Sequence, residues 1–268
     1  MAHNIHSSID SKLSKRQQMP DNMILEERHN FILEQININN KVMASDLSQR
    51  LDVSIDTIRR DLKYLEKTGK LLKVHGGAVS PDFHFPYQQQ EVYAKIEKRQ
   101  IAKKTLRLIN DGMTILLGGG TVMLELARII PENLKGVIFT VSPLVALEIA
   151  QRSRVNVILL SGRLERDCYI CTGSAVISQL SEIRADLCLL GTNGLSIKGG
   201  LTEGDWEVAQ IKKAMLKSSE KAAVLCISEK LGSIQKMKIC TLGHLNYLIT
   251  ESDPKELGMY SKMIKSIF

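Results

Sequence analysis

No stretch of this sequence approaches the roughly 18 consecutive apolar residues needed to cross a bilayer, so no membrane partner is expected. The N-terminal segment is polar, with neither an apolar core nor a small-residue cleavage site, so no secretory signal is read and a cytoplasmic location is expected. Cysteine offers no framework either. Cys168, Cys171, Cys188, Cys226 and Cys240 are odd in number and lie in apolar stretches, as reduced thiols used as small core residues do. Cys168 and Cys171 form a CxxC, but no second CxxC or HxxxH completes a four-ligand zinc site, and a redox pair would usually open a helix after a strand. No metal and no cofactor are expected. Neither GxGxxG nor a Gly-Lys-Ser/Thr is present, which excludes the dinucleotide fingerprint and the P-loop.

What the chain has is length and apolar content: 268 residues, 44% hydrophobic and 24% charged, suit two domains that need no disulfide or metal. The net charge of +7 matters less than its placement. Between residues 59 and 75, Arg59, Arg60, Lys63, Lys67, Lys70 and Lys73 face only Asp61 and Glu66. Taken alone, such a cluster reads as solvated helix surface.

The neighbouring sequence changes that reading. Ile32, Leu33 and Ile36 fall at helical spacing, and Asn37, Asn39 and Asn40 then break the helix. A second, short helix runs from Ala44 to Leu51 with Ala44, Leu47 and Leu51 on one stripe. Asp52 and Val53 turn the chain, and Ser54 caps a third helix whose buried stripe is expected to be Ile55, Ile58, Leu62 and Leu65. Its opposite face then shows Asp56, Thr57, Arg60 and Lys63, with Arg59 flanking. This is the helix-turn-helix plan, in which the last helix enters the major groove of double-stranded DNA. The planar fork of Arg60 can bond both acceptors on a guanine edge, Thr57 can reach a phosphate or a thymine methyl, and Arg59 is assigned to a phosphate. After Gly69, two short apolar and basic strands around Gly76-Gly77 predict a wing, with Lys70 and Lys73 at phosphates and His75 beside them.

Residues 80–90, with Pro81, Pro86 and three consecutive glutamines, read as a linker. The expected organisation is a disordered tail over 1–22, a winged helix-turn-helix over 23–80, a linker over 81–93 and an α/β domain over 94–268. A basic amphipathic helix is predicted from Glu91 to Asn110. Apolar strands are predicted at Met113–Leu117, Val137–Thr140, Val155–Ser161, Leu187–Gly191, Ala222–Ile227 and Tyr247–Thr250. Helical stretches between them argue for a mainly parallel sheet covered on both faces, whose ligands bind at strand C-terminal ends. Gly118-Gly119-Gly120-Thr121 lies at such an end and opens a helix near Val122. It reads as an anion cradle or as a plain strand-to-helix turn.

The strings LDVSIDTIRRDL (51–62) and KVHGGA (73–78) resemble the DeoR family of bacterial transcriptional regulators. The likeness continues through Glu97-Lys98-Arg99, Gly120-Thr121, Gly191, Gly194 and Gly200-Leu201-Thr202 to Glu207 and Lys212, and covers residues from about 26 to 251. It implies a repressor bound to operator DNA through Ser54, Thr57, Arg59 and Arg60. It also implies a C-terminal domain similar to ribose-5-phosphate isomerase and CoA-transferase folds, released from DNA by a phosphorylated sugar or related sugar acid. On that resemblance Gly118, Gly119, Gly120 and Thr121 hold the phosphate, while Thr202, Glu207, Lys212 and Lys230 face the sugar. The chain departs from the family at Leu116, Leu117, Val141 and Ile227, where acidic or Asn and Asp groups are usual. Losing polar partners changes which ligand fits or weakens it. Two other readings follow: a sugar-phosphate isomerase-like enzyme, disfavoured because fold alone confers no activity, and a constitutive DNA binder. Reading a genome requires two or more winged helices, so a homodimer or homotetramer is expected. Trp206 could stack on a ligand or simply pack and is assigned to packing, as are the methionines.

Overall fold

The computed structural model describes residues 25–39, 41–80, 94–166 and 168–268. The expected tail and linker lie outside the described residues. The chain forms two compact units, one ending at Ser80 and one carrying the residues from Ala94 onward.

In the first unit, α1 (Leu25–Asn39), α2 (Ala44–Leu51) and α3 (Ile55–Lys67) precede a small antiparallel sheet of β1 (Lys41–Met43), β3 (Gly77–Val79) and β2 (Leu72–Val74), in that order across the sheet. The helices close on Ile32, Ile36, Leu47, Ile58, Leu62 and Leu65, each at most 1% exposed. α1 runs past Ile36 to Asn39, because Asn37 and Asn39 weaken a helix without being forbidden in its last turn. Asp52 adopts φ 50° to end α2, Ser48 Oγ donates to Val53 O at 2.6 Å across the turn, and Ser54 Oγ accepts the Thr57 N–H at 3.1 Å to start α3. β1 is an additional strand beyond the expected hairpin. It passes so close to the wing that a Cβ on Gly77 would sit 2.0 Å from Val42 O, so only glycine fits there.

Two residues of α3 differ from the expected pattern. Ile55 is 39% exposed: it stands on the first turn, at the flank of the arc that buries Ile58, Leu62 and Leu65. Asp61 takes an inner position, 4% exposed. Arg28 of α1 grips it through Nε to Oδ2 at 2.7 Å and Nη2 to Oδ1 at 3.2 Å, His29 Nε2 lies 3.1 Å from the same Oδ1, and Tyr64 stacks on His29 at 5.0 Å.

The second unit begins with α4 (Lys95–Thr105) and is organised on seven parallel strands. These are β4 (Met113–Leu117), β5 (Gly136–Thr140), β6 (Asn156–Leu159), β9 (Ala185–Gly191), β12 (Ser219–Leu225), β14 (Tyr247–Ile249) and β15 (Ser266–Ile267), ordered β15-β14-β12-β9-β4-β5-β6. Six were anticipated within a few residues; β15 is too short to show a pattern. The central strands are apolar on both sides because both sides are covered. Along β9, Leu187 and Leu189 face one core and Cys188 and Leu190 the other. α4, α5 (Thr121–Ala127) and α6 (Pro143–Arg152) fill the first with Ile101, Met123 and Ile149; α7 (Ser174–Ser181) and α8 (Trp206–Lys217) fill the second with Leu180, Ile211 and Met215. Arg99 Nε donates to the buried Glu125 at 3.1 Å, and Arg128 bonds the same carboxylate, joining α4 to α5. A hairpin of β7 (Arg163–Glu165) and β8 (Ile170–Thr172), and a three-stranded antiparallel sheet of β10 (Gly194–Ser196), β11 (Gly200–Glu203) and β13 (Met237–Cys240), complete the unit. Met123 and Met215 are fully buried, whereas Met259 and Met263 are exposed at 67% and 45%, so only some methionines fill core. No described helix is long and apolar enough to cross a membrane.

Removing one partner of a buried ion pair strands the other. Asp61→Ala is therefore expected to cost about 3 kcal/mol in the first unit by leaving Arg28 without its carboxylate. Hydrogen exchange of α1 and α3 amides in the full chain reads this directly; protection equal to wild type would show the clamp to be dispensable.

Candidate nucleic-acid interface and sensor site

The outer face of α3 carries Asp56, Arg59, Arg60, Lys63 and Lys67, all exposed. Arg59 Nη1 donates to Asp56 at 3.0 Å, an exposed i,i+3 pair that orients the guanidinium without fixing it strongly. Arg60 is a neighbour on the same face. Ser54 and Thr57 are engaged with each other: besides the cap bond, their hydroxyl oxygens are 2.9 Å apart. Thr57 is half-buried. Lys70, Lys73 and His75 are exposed along the approach to the wing and its turn. The wing is tied back to the helix, because the Lys73 backbone N–H donates to Glu66 Oε1 at 3.0 Å. Of the nine residues expected to meet DNA, seven thus line the outer helix face and the wing, and two shape the helix start.

In the second unit, β4, β9 and β12 are adjacent parallel strands, so the segments following them meet at one edge of the sheet. Gly118–Gly120 follows β4, with the Gly118 N–H donating to Leu189 O at 2.9 Å. Thr192 and Asn193 follow β9, and Ser228–Lys230 follows β12. α5 opens at Thr121, and Gly120 has φ 101°. A Cβ on Gly119 would lie 2.7 Å from Ile170 Cγ1, so β8 packs directly on this loop.

Lys212 of α8 reaches into this region, 8% exposed. Its Nζ donates to Glu203 Oε2 at 2.5 Å and to Gly191 O at 2.9 Å. Glu203 also accepts from Asn193 Nδ2 and from the Gly204 N–H at 2.8 Å. Burial alone would push the Glu203 carboxyl up, but the Lys212 ammonium and these donors hold it below the usual carboxylate range. The partner of Lys212 is therefore Glu203 and not Glu207, which is half-buried on the first turn of α8. Neither Glu203 nor Asn193 stood out in the sequence: nothing local marks a carboxylate at a strand end as the counterion of a lysine on the next helix. Thr202 is 2% exposed, its hydroxyl donating to Gly194 O at 3.1 Å and accepting from the Gln235 N–H at 2.9 Å, so it braces the small sheet.

Lys230 differs from Lys212. Among the described residues it has no ion pair; its Nζ donates only to Thr192 O at 3.4 Å. Burial, with Lys98 and Lys212 nearby, lowers its pKa to about 8. Cys168 lies close enough to feel Asp205, Glu203 and Lys212, but burial pushes its thiol up to about 12, and burial also raises Cys171; neither is poised as a thiolate. Leu116, Leu117, Val141 and Ile227, the departures from the family pattern, are all buried apolar core. Trp206 is 57% exposed with Lys213 Nζ 5.7 Å from its ring, so it is a surface residue, contrary to the packing expectation.

Two family models match this chain: a DeoR-like helix-turn-helix domain over residues 28–83 and a DeoR C terminal sensor domain over residues 94–252. The HTH-type transcriptional regulator GolR of Listeria innocua is 31% identical over 229 residues, covering 84% of this chain and 90% of that protein. The glycerol-3-phosphate regulon repressor of Escherichia coli is 26% identical over 230 residues, covering 85% and 91%. Among solved structures, a ribose 5-phosphate isomerase A from Methanocaldococcus jannaschii is similar over 50% of this chain and 53% of its own, at 19% identity and a TM-score of 0.37. With a helix-turn-helix domain and a sensor domain both matched in order along one chain, the protein belongs to the DeoR family and is a transcriptional regulator, not an enzyme.

Proposed function

We propose that this regulator represses a carbohydrate-utilisation operon by binding double-stranded operator DNA through α3 and the wing, and that a phosphorylated sugar or sugar acid releases it. The observation that carries the DNA half is the exposed row of Arg59, Arg60, Lys63, Lys70 and Lys73 on a helix and wing bonded together through Glu66. Arg60 reads a base edge; Arg59, Lys63, Lys70, Lys73 and His75 meet phosphates, and Ser54, Asp56 and Thr57 set the helix start against the groove. The protein acts as a homodimer or homotetramer, since each winged helix reads one half-site.

For the effector half, the supporting observation is Lys230, an ammonium with one weak carbonyl contact at the sheet edge where Gly118–Thr121 ends β4. A half-buried cation without a carboxylate is stabilised by an anionic ligand. Lys230 is assigned to the anion together with the Gly119-Gly120-Thr121 turn, with Glu207 at the rim. Lys212 and Thr202 act by holding Glu203 and the small sheet in place.

Binding of the full chain to its own gene's upstream DNA tests the first half. Arg60→Ala is expected to lose about 1–3 kcal/mol on the specific site while leaving unrelated duplexes little changed. Lys73→Ala should weaken all duplexes alike and lower the salt slope by about one. Indifference to Arg60→Ala would overturn the recognition-helix assignment.

Thermal stability against a panel of sugar phosphates and phosphorylated sugar acids tests the second half. A ligand at one hundred times its Kd stabilises by about 2.7 kcal/mol. Lys230 is protonated below its pKa of about 8 and neutral above it, so affinity for an anion is expected to fall about tenfold between pH 7 and pH 9. Lys230→Met should bind weakly and lose that pH dependence. No shift with any member of the panel would assign the chain to constitutive DNA binding.

A further inference from the structure

Ile55 is a large aliphatic side chain on the first turn of α3, 39% exposed, whereas Ile58, Leu62 and Leu65 of the same helix are at most 1% exposed. It contributes little to the core. Its position does not serve helix initiation either, since the first turn of a helix favours acidic or small polar residues and Ser54 already supplies the cap. Asp56 follows it and Arg59 stands one turn on, both exposed, so an apolar group at the flank of the buried arc borders the charged outer side of the helix.

A major groove offers one apolar feature to such a side chain, the 5-methyl group of thymine. Residues at the N-terminal end of a recognition helix are the ones that reach base edges. Isoleucine is stiff at χ1, so seating it against a methyl costs little conformational freedom. We infer that Ile55 reads a thymine in each operator half-site by packing against its 5-methyl group, an apolar contact beside the hydrogen-bonded readout assigned to Arg60. The inference rests on the reading of α3 as the groove-inserted helix.

The test uses the full chain and duplexes enriched by it from random DNA. Each thymine of the enriched site is replaced in turn by deoxyuridine, which removes only the 5-methyl group, and Kd is measured at fixed salt. Wild type is expected to lose about fourfold at one thymine per half-site, the worth of one buried methyl. Ile55→Ala, and independently Ile55→Gln, should bind thymine and deoxyuridine duplexes alike, while Ile55→Val keeps most of the difference. Unchanged affinity for an unselected duplex, with an unchanged salt slope, confirms that the variants fold. If no thymine is methyl-sensitive, or if the deoxyuridine cost persists in both Ile55→Ala and Ile55→Gln, the inference is wrong while α3 keeps its role. If random DNA yields no enriched site, the sequence-reading role of α3 fails and the inference goes with it.

Discussion

Asp61 is drawn out of water on the inner side of α3, where an unpaired carboxylate would cost several kcal/mol. Arg28 and His29, on α1, supply the charge and hydrogen bonds that offset this. The pair does more than neutralise. A bidentate guanidinium fixes distance and angle together, so α3 is held to α1 in one register, and an apolar seam of Ile32, Ile58 and Leu62 alone would tolerate sliding. The outer face of α3 points where it does because its inner face is pinned.

The sensor unit uses the same principle at Glu203. Lys212, Asn193 and the Gly204 N–H surround that carboxylate, tying α8 to the end of β9 and to the small antiparallel sheet. Lys230 is the contrast within the same neighbourhood: half-buried, it has a carbonyl contact and no ion pair among the described residues. A satisfied charge supports the scaffold, and an unsatisfied one is costly to keep out of water. This difference in partners separates Lys212 from Lys230 more clearly than position along the chain does.

Much of the architecture is legible in the sequence wherever periodicity runs long enough to be read. The Ala44, Leu47, Leu51 stripe, the Ser54 cap and six of the seven parallel strands all lie within a few residues of their expected places. What is hidden has physical reasons. Period alone cannot tell the centre of a buried arc from its flank, and so Ile55 is misplaced. Asp61 sits inside an Arg-Arg-Asp run that looks like surface, and its partners lie more than thirty residues upstream. The strands β7, β8, β10, β11 and β13 have three or four residues each, too few for alternation to register, and they bring Ile170 against Gly119 and Glu203 against Lys212. Thr202 shows the converse: its motif position is conspicuous, yet both hydrogen-bonding functions of its hydroxyl are used by the fold.

The bond from the Lys73 backbone to Glu66 gives the DNA-binding unit a property of its own. Because it runs to the main chain, replacing the Lys73 side chain leaves the tether intact, and the wing lysines can drift while the wing stays aligned to the helix. The tie between helix and wing does not depend on which side chain stands at position 73. A substitution at position 73 can therefore change the charge that the wing presents while the bond that sets the wing against the helix is kept.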